Sequence, residues 1–377
     1  MEIADFTRRH IQEFKNDLNL LGIKPAEKYP RASDHTGEMV SLSEKLVRKG
    51  VAYEKLRSIY FDISQFKTYG RLSGVDIDKI RLGATVDLDE YEKDNPRDFT
   101  LLKRSKLSEL KRGIYIKTEW GNIRPSWHLQ CVAMSMKYLG DSYDIHTASR
   151  ELAFPHHENE IAIAGALTGK PLARFWVHCD RVLVDGKKMD EKGDGLTIQH
   201  LMDMGFSGRE IRYWLISSHY RMPVQFARAK LINAKNSLKR MDSCLLRLQE
   251  LDKGAAYPDL DQLLYDIRRG FVDAMDDDLN ISAALAAIFK MIKKINRLIS
   301  EHALNRSDAA KITDVFKQID GVLNLFEFQE KRPGTDVQRL MKKRDQARQK
   351  RNWDLADQIR DELISRGIAV RDRERIR

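Results

Sequence analysis

The string Phe154-Pro155-His156-His157-Glu158-Asn159-Glu160 gathers more reactive side chains than any other stretch of the sequence. His156 and Glu160 are four residues apart, so on a helix they share a face, one turn from each other. An imidazole and a carboxylate at that spacing can hold one metal ion. The same pattern also describes an acidic first helical turn with surface histidines. A second piece lies upstream in Trp127-His128-Leu129-Gln130-Cys131-Val132-Ala133-Met134. A lone cysteine in such an apolar helix commonly serves as a small core residue. With His156 and Glu160 it makes a thiolate, imidazole and carboxylate set of the kind zinc accepts, leaving a fourth position to fill. A third piece is Asp185-Gly186-Lys187-Lys188-Met189-Asp190-Glu191-Lys192-Gly193-Asp194-Gly195. Lysines beside glycines suit either a loop whose amines meet phosphates or an ordinary charged surface loop.

The elements that must position these pieces follow from apolar period. Residues 1–25 and 33–50 predict two helices, and 51–65 a pair of strands. Residues 79–103 are polar and turn-rich. A short strand is expected at 114–117 and an apolar helix at 127–139. Then come a strand at 143–146, a helix at 156–167, a strand at 176–184 and helices at 197–204 and 208–218. Strands alternating with helices predict α/β architecture with parallel pairing in this middle third. From 226 onward the period is helical throughout, over 226–251, 260–275, 282–302 and 309–326, which predicts a bundle. Asn280 and Ser282 suit a helix N-cap. After a linker at 331–334, two short helices broken near Asn352 are expected.

Composition narrows the class. The 377 residues are 42% hydrophobic and 32% charged, which fits a soluble protein with real cores. No apolar run reaches the ~18 residues of a membrane span, and the charged N-terminus does not read as a secretory signal. Three cysteines, Cys131, Cys179 and Cys244, are a sparse odd set that argues for a reducing, cytoplasmic setting. The net charge is +10, and the last 47 residues carry 15 Lys/Arg against 8 Asp/Glu. A basic tail of that density suits a polyanion such as nucleic acid, or a solvated helical face.

In this order the motifs resemble cysteinyl-tRNA synthetase, a class I aminoacyl-tRNA synthetase. The resemblance runs through Pro30-Arg31-Ala32-Ser33, Asn95-Pro96-Arg97-Asp98-Phe99, Trp120-Gly121, Arg124-Pro125, Trp127-His128 and Cys131. It continues through Asp144-Ile145-His146, Phe154 to Glu160, Ser218-His219-Tyr220-Arg221, Ala274 to Asn280, Arg351-Asn352-Trp353-Asp354 and Asp357 to Leu363. It implies an α/β plus all-α fold: part of a Rossmann catalytic domain, with an inserted connective domain, a helical bundle and a small C-terminal helical domain. The corresponding boundaries are 1–105 for the connective region, 106–222 for the second catalytic half, 223–330 for the bundle and 331–377 for the anticodon-binding-like domain. It implies ATP-dependent activation of cysteine and transfer to tRNA. The implied zinc ligands are Cys131, His156 and Glu160, with one protein ligand missing, and Trp127 lies beside the amino-acid side chain. His146, Lys188, Met189 and Lys192 fall at the ATP site, with His146, Lys188 and Lys192 as catalytic groups. For tRNA, Arg339, Lys342, Lys343 and Arg344 are expected at phosphates and Trp353 on a base.

The sequence departs from the family at definite points. No His-x-Gly-His motif occurs in it. Thr147-Ala148-Ser149 follow His146 where the family has three glycines, and each carries a Cβ. The family's Lys-Met-Ser-Lys-Ser loop reads Lys188-Met189-Asp190-Glu191-Lys192, and the family's glutamate before the zinc cysteine is Gln130. Three readings follow: a cysteine–tRNA ligase, a non-catalytic paralogue that binds tRNA or a protein, and a ligase that joins cysteine to a small amine. A separate N-terminal catalytic segment is an expected partner. Without it, the remaining parallel strands should show an unpaired edge and an uncovered apolar face.

Overall fold

The computed structural model describes residues 3–76, 93–188, 196–328, 339, 340, 342–344, 346, 347 and 352–365. It divides into two compact units, Met1–Leu238 with Tyr265–Met291, and Lys239–Leu264 with Ile292–Arg377.

The first unit opens with helix α1 (Ile3–Leu20) and helix α2 (Thr36–Arg48), whose Met39, Ser43 and Leu46 are buried. Strands β1 (Ala52–Lys55) and β2 (Ser58–Phe61) form the expected pair. Leu56 and Arg57 between them have φ of 51° and 67°, as a tight two-residue hairpin turn requires. Strand β3 (Phe99–Arg104), helix α3 (Leu107–Lys111), and strands β4 (Ile116–Thr118) and β5 (Gly121–Pro125) follow. The strands make an antiparallel sheet in the order β1-β2-β3-β5-β4.

Helix α4 (Trp127–Leu139) starts two residues after β5 ends. Strand β6 (Tyr143–Ser149), a turn at Ala153–His157, helix α5 (Glu158–Thr168) and strand β7 (Ala173–Cys179) come next. β6 and β7 run parallel, from Tyr143 opposite Ala173 to Ser149 opposite Cys179, with α5 as the crossover. Strands β8 (Val182–Val184), β9 (Lys187–Lys188) and β10 (Val224–Gln225) form a second small sheet, with β10 parallel to β8. Helices α6 (Ile198–Asp203) and α7 (Gly208–Ile216) lie between β9 and β10. The strand expected over 176–184 is therefore two strands. The Asp180 amide donates to the Tyr220 carbonyl at 2.8 Å, and the chain then leaves β7 to pair with β10.

The core of this unit joins α2, α4 and α5 to the antiparallel sheet. Met39, Leu46, Leu129, Val132, Ile163, Ile59, Phe61, Leu101 and Leu102 are all buried in it. Gly165 on α5 is placed so that a Cβ would come 2.8 Å from the Phe66 ring, so only glycine lets α5 sit this close.

The helical part comprises α8 (Arg228–Gln249), α9 (Leu260–Asp276), α10 (Ile281–Ser300), α11 (Arg306–Leu323) and α12 (Trp353–Ser365). Asn280 caps α10, its side-chain oxygen accepting from the Ala283 amide at 3.1 Å. Asn305 and Asp308 form a reciprocal capping box on α11. Asn352 accepts from the Leu355 amide at the start of α12, where the sequence predicts a break. Among the described residues no helix is long and apolar enough to cross a membrane.

Candidate active site

Cys131 projects from α4, while His156 and Glu160 flank the start of α5. Their sulfur, ring nitrogen and carboxylate oxygen lie within 4.8 Å of one another. His156 Nε2 is 2.9 Å from Glu160 Oε1. The packing of α4 on α5 through Leu129, Val132, Ala162 and Ile163 fixes this approach.

The polar residues of the first turn of α5 have divided tasks, and the turn is buried. Glu158 accepts from the Gly70 amide at 2.9 Å and from the Ser73 amide and hydroxyl at 2.7 and 2.8 Å, so it anchors a loop. Asn159 accepts from the Tyr69 hydroxyl at 2.5 Å. Glu160 is 1% exposed, and neither of its carboxylate oxygens has a hydrogen-bond partner. A buried carboxylate without hydrogen bonds is costly, and a cation offsets that cost. The donor set and this orphaned carboxylate fit a zinc ion.

Around the set stands a layer of neutral imidazoles. His128 Nε2 meets the Thr100 carbonyl at 2.7 Å, and burial pushes its pKa down to about 3. His157 Nδ1 meets His178 Nε2 at 2.8 Å, and burial followed by the neighbouring His146 pushes His157 to about 3 as well. His146 stacks on Trp176 at 4.4 Å and meets the Tyr143 hydroxyl at 2.7 Å, with its pKa also lowered by burial. His146 Nε2 is 3.7 Å from Glu160 Oε2, so this ring stands against the metal set. The Cys131 thiol is pushed up to about 12, first by burial and then by the charge of Glu160. A cation bound there reverses that preference and favours the thiolate.

A cavity of about 450 Å³ opens beside His128 and His156. Tyr69, Phe99, Trp127, His128 and His156 line it together with Lys93, Arg97, Lys103 and Arg124. Trp127 is 76% exposed at its rim. Sequence reasoning missed Tyr69, Lys93 and Lys103, which lie on separate segments and carry no local motif, while Arg97 and Arg124 stood in motifs of the resemblance without a role at the site. His178 was also missed, its only signal being its place in an apolar strand.

The remaining expected residues are placed as follows. Lys188 Nζ bonds Glu151 Oε2 at 2.7 Å. Met189 and Lys192 lie outside the described residues. Thr147, Ala148 and Ser149 continue the β6 ladder opposite Val177, His178 and Cys179. Ile145 and Phe175 are partners in that ladder and are 57% and 64% exposed, an uncovered apolar face. Among the described residues β6 and β7 pair only with each other. In the C-terminal segment Arg339, Lys342 and Lys343 are exposed and Arg344 is buried. Trp353 is exposed at the start of α12.

Residues 1–236 match the class I (C) tRNA synthetase catalytic domain. Residues 270–327 match the DALR domain, and 334–376 the cysteinyl-tRNA ligase anticodon binding domain. A cysteine–tRNA ligase of Methanosarcina acetivorans is 39% identical over 382 residues, covering 99% of this chain and 80% of that protein. One from Chlamydia muridarum is 38% identical, covering 98% of this chain and 80% of that protein. Among solved structures, Mycobacterium tuberculosis methionyl-tRNA synthetase bound by methionyl-adenylate superposes with a TM-score of 0.64 at 12% identity. That likeness covers 85% of this chain and 79% of the other, and concerns the fold alone. With the geometry above, these matches place the chain in the cysteine–tRNA ligase family of class I aminoacyl-tRNA synthetases.

Proposed function

We propose that this chain selects cysteine at a zinc ion held by Cys131, His156 and Glu160, activates it with ATP and passes it to tRNA in the cytoplasm. The observation that carries the reading is the buried Glu160 carboxylate, whose oxygens accept no hydrogen bond and lie within 4.8 Å of a thiol and an imidazole. When bound, the ion supplies a Lewis-acidic position that accepts a substrate thiolate and discriminates against a hydroxyl.

The chain's own residues do the rest. Asn159 and Glu158 are held by Tyr69, Gly70 and Ser73, so the first turn of α5 cannot drift. His128 and His157 remain neutral at physiological pH, so neither adds a positive charge beside the metal set. Trp127 at the rim covers the amino-acid side chain. The substrate carboxylate attacks the α-phosphorus of ATP, releasing pyrophosphate, and the acyl group then moves to a ribose hydroxyl of the tRNA end, releasing AMP. Charge aimed at the phosphates stabilises the first step. In this reading Lys188, Met189 and Lys192 meet ATP with His146. Lys188 must exchange Glu151 for phosphate to do so. Arg339, Lys342, Lys343 and Trp353, which are exposed, hold the tRNA in the C-terminal segment, whereas the expected Arg344 is buried. The reading also includes a segment bearing His-x-Gly-His, on the same or a separate polypeptide, that covers Ile145 and Phe175 and completes the ATP site. Their exposure supports it.

The test is ATP–pyrophosphate exchange with cysteine and serine in parallel, with and without that segment. Exchange should depend on cysteine, be absent with serine, and disappear in Glu160→Gln. Equal exchange with serine, or full exchange in the variant, would contradict the reading.

A further inference from the structure

The helices beyond the catalytic region carry charge unevenly. α10 has four Lys/Arg and no Asp/Glu, and α8 has six Lys/Arg against one Asp, whereas α9 has four Asp against two Arg. Within the second unit, the basic ends of α8 and α10 enclose a cleft of about 400 Å³ lined by Lys239, Arg240, Ser243, Arg247, Lys293 and Asn296. Arg247 is the telling residue. Its Nη1 donates to Asn296 Oδ1 at 2.6 Å and its Nη2 to Ser300 Oγ at 2.9 Å. Both acceptors are neutral, so the guanidinium is fixed in place while its charge is left for something else. Among the described residues no carboxylate lines the cleft.

We propose that this cleft is a phosphodiester site, where Arg247, Lys239 and Lys293 grip the backbone of the bound tRNA. Phosphate is the ligand whose chemistry fits. It brings negative charge and several acceptor oxygens, it suits a guanidinium fork, and it needs no donors of its own in the wall. Spaced cations along two helices, rather than one deep anion hole, match a repeating polyanion better than a single small ion. The α8 half of the cleft lies between the matched catalytic segment, which ends at 236, and the DALR segment, which begins at 270. Phosphate contacts of this kind position the nucleic acid without reading its sequence. The inference rests on the reading that tRNA is a partner.

The test uses the full chain and a gel-shift titration with tRNA across a salt series, with inorganic phosphate as a competitor. The triple variant K239A/R247Q/K293A should weaken tRNA binding about tenfold or more near physiological salt. It should also flatten the log–log salt dependence by about two. Lys311→Ala, an equal change of charge per site on exposed α11, is the control and should bind like the parent. Circular dichroism and the melting temperature establish that the triple variant is folded, and R247Q alone, which keeps an amide near Asn296, should show a smaller loss of the same kind. Millimolar phosphate should not displace tRNA. If phosphate competes at that level and tRNA affinity is unchanged in the variant, the cleft is a small-anion site and the proposal fails. A folded triple variant that binds tRNA as tightly as the parent also overturns it. A parent chain that binds no tRNA overturns the underlying partner reading instead.

Discussion

The pocket above Glu160 and the cleft beside Arg247 solve opposite recognition problems. In and beside the pocket the polar groups are neutral or deeply buried: His128 and His157 are held far below their ordinary pKa, the Cys131 thiol far above, and Glu160 is buried with no hydrogen bond to its oxygens. In the cleft the donors are already charged and open to water. Burial makes a single contact strong and selective, whereas exposed charge makes many contacts that are weak, additive and screened. On the readings proposed above, one region distinguishes sulfur from oxygen, and the other grips a polymer whatever its bases.

The largest effect expected from this contrast is in Glu160→Gln. It should reduce zinc affinity by on the order of 100-fold or more, beyond what the loss of an outer-shell partner costs. It should leave tRNA affinity within about twofold, because the cleft is separate chemistry. A variant that loses both would erase the distinction. Next in size is the response to salt. Raising salt fourfold, from 50 to 200 mM, should weaken tRNA binding by roughly 10- to 100-fold for a few phosphate contacts, while KM for cysteine stays within about twofold. Parallel changes in the two would show that the pocket too works through screened charge.

Leu129→Ala, in the fully buried core behind Cys131, should cost about 2–5 kcal/mol and lower the unfolding midpoint in urea. It should disturb zinc affinity before tRNA affinity. The smallest effect concerns Asp278, at the turn before α10, which Arg221 Nε and the Tyr220 hydroxyl both grip at 2.6 Å. These bonds lower its pKa to about 2 from 3.8, Arg221 being the larger cause. The folded state therefore holds the proton less tightly than the unfolded chain does. Its contribution to stability is complete above about 4 and is lost as pH falls through about 2. An Asp278→Asn variant should show a flatter acid limb in a melting series, and an unchanged limb would remove Asp278 from that account.

The two regions also differ in how far sequence discloses them. The string from Phe154 to Glu160 is legible because its reactive groups are neighbours, and a four-residue spacing translates directly into a shared helix face. Cys131 joins it by donor chemistry and family resemblance, since nothing local says that α4 will lie against α5. Tyr69 is invisible from sequence because its partner Asn159 is 90 residues away. The division of labour between Glu158 and Glu160 is equally hidden, as both are acids in one turn and only the loop at Gly70 and Ser73 decides between them. The basic tail draws attention by density, yet α8 and α10 carry comparable charge diluted by core leucines and isoleucines. Their cleft exists only once residues some 50 positions apart are brought side by side. Among elements, the helices are read well because their period is long and regular. The stretch at 176–184 misleads because two short strands of different sheets follow one another with no glycine or proline between them.

The most direct test of the pocket is a zinc titration against a competing chelator, run with free cysteine or free serine present. One zinc site per chain is expected, tightened by cysteine, unaffected by serine and lost in Glu160→Gln. Zinc bound equally well by the parent and the variant, or tightened equally by serine, would contradict the assignment of Cys131, His156 and Glu160 as the centre that selects the thiol.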